Sequence, residues 1–167
     1  MICKVLASRG ACCKPRPMSK TTKSGGCQCG RIRFTTPVDP TEAYLCHCRM
    51  CQRATGGFAA SFVNVLLSDI AWEGEPDWYA SSPIARRPFC ARCGTPLGFR
   101  FNEGSDKMDL AVGSFDDTSG FRPKHHFGIE SLVHESWLDT ADLPRIRTDE
   151  YDVLVKKWKD AGAEPPQ

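Results

Sequence analysis

Seven of the ten cysteines fall into three tight groups, Cys27-x-Cys29, Cys46-x-Cys48-x2-Cys51 and Cys90-x2-Cys93. Pairs this close suit a metal, because zinc needs thiolates about 2.3 Å away at tetrahedral angles, and one short turn brings two of them there. Gly30 and Gly94 directly follow Cys29 and Cys93 and supply the backbone freedom of such turns. Seven thiolates do not fill two four-ligand sites. Four close a structural site, whereas three leave a position open, as at a catalytic zinc. The group 46/48/51 is local and self-contained and is expected to be the open site. Cys27, Cys29, Cys90 and Cys93 would then close the structural one across a long stretch of chain. Two other readings stand beside this: one zinc plus a redox-active cysteine cluster, or free core thiols at 90 and 93. No role is assigned to Cys3, Cys12 or Cys13.

Disulfides would require an oxidising compartment. The first 17 residues scatter Lys4, Arg9, Lys14 and Arg16 among short apolar pieces, so no signal-peptide core forms and a cytoplasmic chain with reduced thiols is expected. The net charge of +2 conceals an asymmetry. The first 38 residues carry eight Lys/Arg and no acid, which leaves 14 basic against 20 acidic residues beyond them. A nucleic-acid-binding domain concentrates positive charge on its folded part, so this balance argues against a polyanion partner. Phe58 to Leu67, the longest apolar-leaning stretch, is broken by Ser61 and Asn64 and is far too short to span a membrane. A phosphate-cradling glycine loop and a Ser/His/Asp nucleophile signature are both missing.

The elements that must position these groups read as short strands. Residues 1–24 form a basic arm, expected to be disordered, with Met18 an alternative start. Beyond it, Arg31 to Phe34, Glu42 to Cys46, Phe58 to Val65, Trp72, Trp78-Tyr79, Arg86 to Phe89, Leu97 to Phe101 and Met108 to Val112 are strand candidates. Phe58, Ala60 and Phe62 share one face by period two. Arg49 to Ala54 has helix formers for one or two turns, stopped by Thr55-Gly56-Gly57. Residues 148–162 read as an amphipathic helix packed on the 25–147 domain: Tyr151, Leu154, Val155 and Trp158 recur at helical spacing, acids come first, lysines late, and Gly162 follows.

These motifs together resemble the glutathione-dependent formaldehyde-activating enzyme family, which also contains centromere protein V. The matching text is Gly25-Gly-Cys-Gln-Cys-Gly30, Cys46-His-Cys-Arg-Met-Cys51 with Thr55-Gly56, and Arg87-Pro-Phe-Cys-Ala-Arg-Cys-Gly94. It continues with Gly113-Ser-Phe-Asp116 and Pro123-Lys-His-His126, then Trp137 and Asp142-Leu-Pro-Arg145. The resemblance implies a mainly β fold of small antiparallel sheets in a β-tent arrangement. It implies two zinc ions per chain, structural at Cys27, Cys29, Cys90 and Cys93 and catalytic at Cys46, Cys48 and Cys51. It also implies carbon–sulfur lyase chemistry that combines glutathione, or a similar small thiol, with formaldehyde. The long basic arm and the C-terminal helix depart from the family pattern.

Three thiolates already donate three negative charges, so such a zinc is a weak Lewis acid suited to soft sulfur chemistry rather than to making hydroxide. A tripeptide thiol with two carboxylates needs cations. Arg49 and Arg53 share a face of the short helix at i and i+4, with Arg100 and Lys124 weaker candidates, and the competing reading of each is a solvated surface charge. His126 is the candidate for acid–base work or a fourth ligand, against a hydrogen-bonded structural histidine. His47, between two ligands, is expected to point away from the metal, and Asp116 to cap a turn. The competing class of function is a non-enzymatic zinc domain that binds another macromolecule.

Overall fold

The computed structural model describes residues 20–134, 143, 147 and 150–163. Short strands pair into two sheets. The first is three-stranded, in the order β1 (Thr21–Gly26), β2 (Arg33–Val38), β5 (Ala71–Glu73), with both pairings antiparallel. In β2, Phe34, Thr36 and Val38 alternate inward, as a half-buried strand requires. The second has seven strands: β10 (Pro123–Phe127), β3 (Ala43–Cys46), β4 (Ala60–Leu66), β9 (Lys107–Ala111), β8 (Gly98–Phe101), β7 (Ala85–Phe89) and β6 (Asp77–Ser82), in that spatial order. The main core lies among Phe34, Ile32, Val63, Leu97, Met108 and Leu110. Phe34 meets Trp72 and Phe115 edge to face, at centroid distances of 5.6 and 5.0 Å.

The mainly β architecture of small, largely antiparallel sheets is as expected, with three differences. Residues 21–24 belong to β1, paired with β2, and not to a disordered arm; residues 1–19 lie outside the described residues. Residues 123–127, read only as a motif, form a strand, and it pairs with β3 in parallel. Two strands running the same way need a long connection, so adjacency in sequence offered no hint of this pairing. The strand expected from Phe58 begins at Ala60. Ala60 and Phe62 are buried as the alternation requires, while Phe58 is half exposed.

Between β3 and β4, α1 (Arg49–Thr55) is the expected short helix and ends at Gly56. Residues 133–167 make a second compact unit. Its helix α2 (Asp152–Asp160) has an acid in the first turn, Lys157 and Lys159 in the last, and Gly162 beyond. It starts at Asp152, four residues later than the sequence suggests, and no side chain caps its N-terminus. Trp137, Asp142, Pro144 and Arg145 lie outside the described residues.

Candidate metal centres and the pocket they face

Four thiols converge from two turns. Cys27 and Cys29 follow β1, Cys90 and Cys93 follow β7, and their sulfurs all lie within 4.8 Å of one another. Gly30 and Gly94 sit at φ +74° and +77°, and their N–H groups close the turns onto the carbonyls of Cys27 and Cys90. The Sγ–Sγ distances of 3.6 Å (Cys27–Cys29) and 3.7 Å (Cys29–Cys90) rule out disulfides. They match the roughly 3.8 Å edge of a tetrahedron with 2.3 Å metal–sulfur bonds. Donors aim at the sulfurs as they would at thiolates: Ile32 N–H at Cys27 (3.3 Å) and Arg31 Nε at Cys90 (3.4 Å). Thr95, through its hydroxyl and then its N–H, brings Cys93 down to about 5. Arg31 is held in turn by Asp77, whose carboxylate also accepts the Ala91 N–H. The donor set and its geometry fit a closed, four-thiolate metal site.

The second group is built where β3 runs into α1. Cys46 ends the strand, Cys48 caps the helix by accepting the Cys51 N–H at 3.4 Å, and Cys51 lies in the first turn. Their sulfurs also lie within 4.8 Å of one another, with Cys46 and Cys48 3.6 Å apart. Arg87 Nη2 donates to Cys51 Sγ at 3.3 Å, and its guanidinium lies over the Phe99 ring. Burial pushes the Cys46 thiol up to about 12 and raises Cys51 as well. At Cys48 burial is outweighed by hydrogen bonds, first among them that from the Cys51 N–H, and its pKa falls. Three crowded thiols of this kind ionise together once a cation joins them. The set fits a metal with three protein ligands.

All three thiols line a pocket of about 800 Å³. Period two supplies the wall: Tyr44 and Cys46 come from β3, Phe62 and Asn64 from β4, Phe99 and Phe101 from β8, His125 and Phe127 from β10. Asp109 on β9 is 9% exposed and accepts from Asn64 Nδ2 at 3.1 Å, with Tyr44 beside it on the wall. Burial raises the Asp109 carboxyl above the usual range and holds the Tyr44 phenol protonated. The His125 ring stacks flat on Tyr44, 5.1 Å between centroids.

His126 does not line this pocket. Its Nδ1 lies 2.8 Å from His47 Nε2, and the neighbouring His125 takes the pocket face. His47 is fully buried, with its N–H on the Phe127 carbonyl at 2.8 Å, and burial lowers its pKa; it ties β10 to the cysteine segment. Arg49 bonds the Gln52 side chain. Arg53 lines a second cleft of about 550 Å³, which shares Met50 and Arg87 with the first. Of the weaker candidates, Lys124 lines the pocket, paired with Glu42, whereas Arg100 does not. Asp116 binds Arg33 and the Ser24 hydroxyl, tying β1 to the chain after β9. Sequence reading missed Arg87, Asp109, Asn64, Tyr44 and His125 as site residues. Strand alternation could have found Tyr44 from Cys46; the others required the spatial order of strands.

Among the described residues, no helix is long and apolar enough to cross a membrane. An uncharacterized lyase of Schizosaccharomyces pombe is 28% identical over 132 residues, covering 79% of this chain and 85% of the relative. A solved structure of a Rhodobacter sphaeroides protein superposes with a TM-score of 0.48 at 20% identity, over 62% of this chain and 98% of that one. Residues 22–131, which carry all seven grouped cysteines and the pocket wall, match the family model of the glutathione-dependent formaldehyde-activating enzyme, and the chain belongs to that family.

Proposed function

We propose that the protein is a zinc-dependent carbon–sulfur lyase that joins a thiol, glutathione or similar, to a small electrophile such as formaldehyde, and also runs the reverse. The observation that carries this is the placement of the two thiol groups. The set of three, too few to enclose a tetrahedral ion, lines the pocket, whereas the set of four does not. Cys27, Cys29, Cys90 and Cys93 then hold a structural zinc, and Cys46, Cys48 and Cys51 a catalytic one. A zinc held by those three cysteines supplies a Lewis-acidic position at which a substrate thiol is kept as its thiolate.

The chain's own residues do the rest. Arg87 keeps Cys51 in place and presses on Phe99, which fixes one wall of the pocket. The new bond joins the substrate sulfur to the carbonyl carbon, the carbonyl π pair moves onto oxygen, and the proton lost by the thiol ends on that oxygen. Tyr44 Oη and the Asp109 carboxyl are polar groups on the wall that can relay it. Arg53 supports the tripeptide reading, since a glutathione with its thiol at the three cysteines can extend past Met50 and Arg87 into the second cleft. His126 acts through His47, as a positioning residue. A thiol-dependent reaction suits the reducing cytoplasm.

The test combines metal analysis with turnover. Wild-type protein should hold two zinc ions per chain, and Cys46→Ser should lose one, keep its fold and lose formation of S-hydroxymethylglutathione. If Cys46→Ser unfolds the protein, the division into structural and catalytic sites is wrong. If millimolar glutathione gives no thermal stabilisation of the wild type, glutathione is removed as the thiol.

A further inference from the structure

The pocket is far larger and greasier than a one-carbon electrophile requires. At about 30 Å³ per water-sized group, formaldehyde fills on the order of 60 Å³ of the available space. The 800 Å³ present is at the upper end of small-molecule sites. Its wall is Tyr44, Phe62, Phe99 and Phe101, and the apolar surface continues at the mouth through Ile84 and Phe127, which are 65% and 62% exposed. Those mouth residues come from separate strands and turns, so their meeting is a product of the fold. Converging apolar side chains left bare around a cavity mark a binding surface for an apolar group.

The charges point the same way. Both cations on the wall are engaged, Lys124 with Glu42 and Arg87 with Cys51 and the Phe99 ring. The acids there, Glu42 paired with Lys124 and Asp109 buried beside Asn64, offer a carboxylate no partner. The two carboxylates of a tripeptide therefore have no place inside this pocket, which is left to the carbon skeleton on the other side of the sulfur.

We propose that this pocket takes a bulky apolar substituent, an aromatic ring or a medium alkyl chain, on the carbon bonded to the substrate sulfur. The preferred substrate class is then the thiol adduct of an aromatic or long-chain aldehyde, with formaldehyde the smallest carbonyl the site accepts. This rests on the carbon–sulfur lyase reading and specifies its electrophile. The reaction balances as before: the S–H bond and the carbonyl π bond break, the S–C bond forms, and the π pair moves onto oxygen and takes up the thiol proton as the new O–H bond.

The experiment uses the zinc-loaded full chain and calorimetric titration with S-methyl-, S-hexyl- and S-benzylglutathione, and with benzyl mercaptan, which carries no carboxylate. The affinity for the hexyl and benzyl conjugates should exceed that for the methyl conjugate by tenfold or more. Ile84→Asp and Phe101→Asp, at exposed positions that do not threaten folding, should bring that ratio to within threefold of one, with an unchanged circular dichroism spectrum. Binding of benzyl mercaptan without any glutathione conjugate upholds the apolar pocket and overturns only glutathione as the thiol. Equal affinity for methyl, hexyl and benzyl conjugates overturns the inference and leaves the lyase reading standing. Failure of every probe, with free glutathione also inert, overturns both.

Discussion

Arg87 is where the cysteine chemistry and the pocket wall meet. One planar guanidinium serves a sulfur through Nη2 and an aromatic face at 5.1 Å, from a position 7% exposed. Lysine offers a point charge on a flexible stem and cannot reproduce both contacts. Arg87→Lys should weaken metal binding at the three-cysteine group by about 10–100-fold, the usual loss when a residue supporting a ligand is changed. Competition with a chromophoric chelator reads this directly, and the metal at the four-cysteine group should be unaffected. Arg31, hydrogen-bonded to Cys90 and held by Asp77, plays the corresponding part there. At this scale the sequence was most informative about the cysteine groups, because seven cysteines announce themselves by spacing. It was least informative about side chains such as Arg87, whose part depends on which strand lies beside it.

Strands β8 and β9 carry Phe99 and Asp109 to the same wall, and their contact depends on a residue without a side chain. A Cβ on Gly98 would meet the Asp109 carbonyl at 2.2 Å, too close for any rotamer change to relieve. Gly98→Ala should therefore cost about 1–3 kcal/mol in denaturant unfolding and spread the wall, weakening ligand binding as well. A second prediction concerns β1. Lys23 and then the Ser119 groups hold the Asp117 carboxyl well below the usual range, and Arg33 and then the Ser24 hydroxyl lower Asp116. Depressed carboxyls stabilise the fold above their ordinary pKa, and that stability drains away as pH falls through the depressed values. Thermal melts from roughly pH 5 to pH 2 should show this loss, and Asp117→Asn should flatten its lower part. Most strands were legible from alternation and turn residues, as was α1 from its composition and glycine stop. The parallel strand β10 was not, since nothing local distinguishes a strand that pairs far along the chain. That omission is why His125 and His126 exchanged roles: with the strand known, alternation puts one on the pocket and the other on His47.

At the scale of the whole molecule, the two cysteine groups are unequal fasteners. The four-thiol group joins the turn after β1 to the turn after β7 and sits against the main core, which includes Cys27 and Cys90. The three-thiol group belongs to a smaller cluster with Ala60 and Phe62. Stripping all metal with a strong chelator should lower the melting temperature by about 10 °C or more, since a structural site contributes its binding energy to folding. Cys27→Ser should reproduce most of that loss and Cys46→Ser little of it, by calorimetry at matched metal content.

The two groups also differ in how much chain separates their members. Residues 46 to 51 are made within one brief interval, whereas the set of four is incomplete until residue 93 has been added. At about 5–20 residues per second, the local set precedes the distant one by roughly 2–8 s. A nascent chain thus completes its three-cysteine group before it completes the four-cysteine group. The order in which the two groups become complete during biosynthesis is set by the spacing of cysteines along the polypeptide.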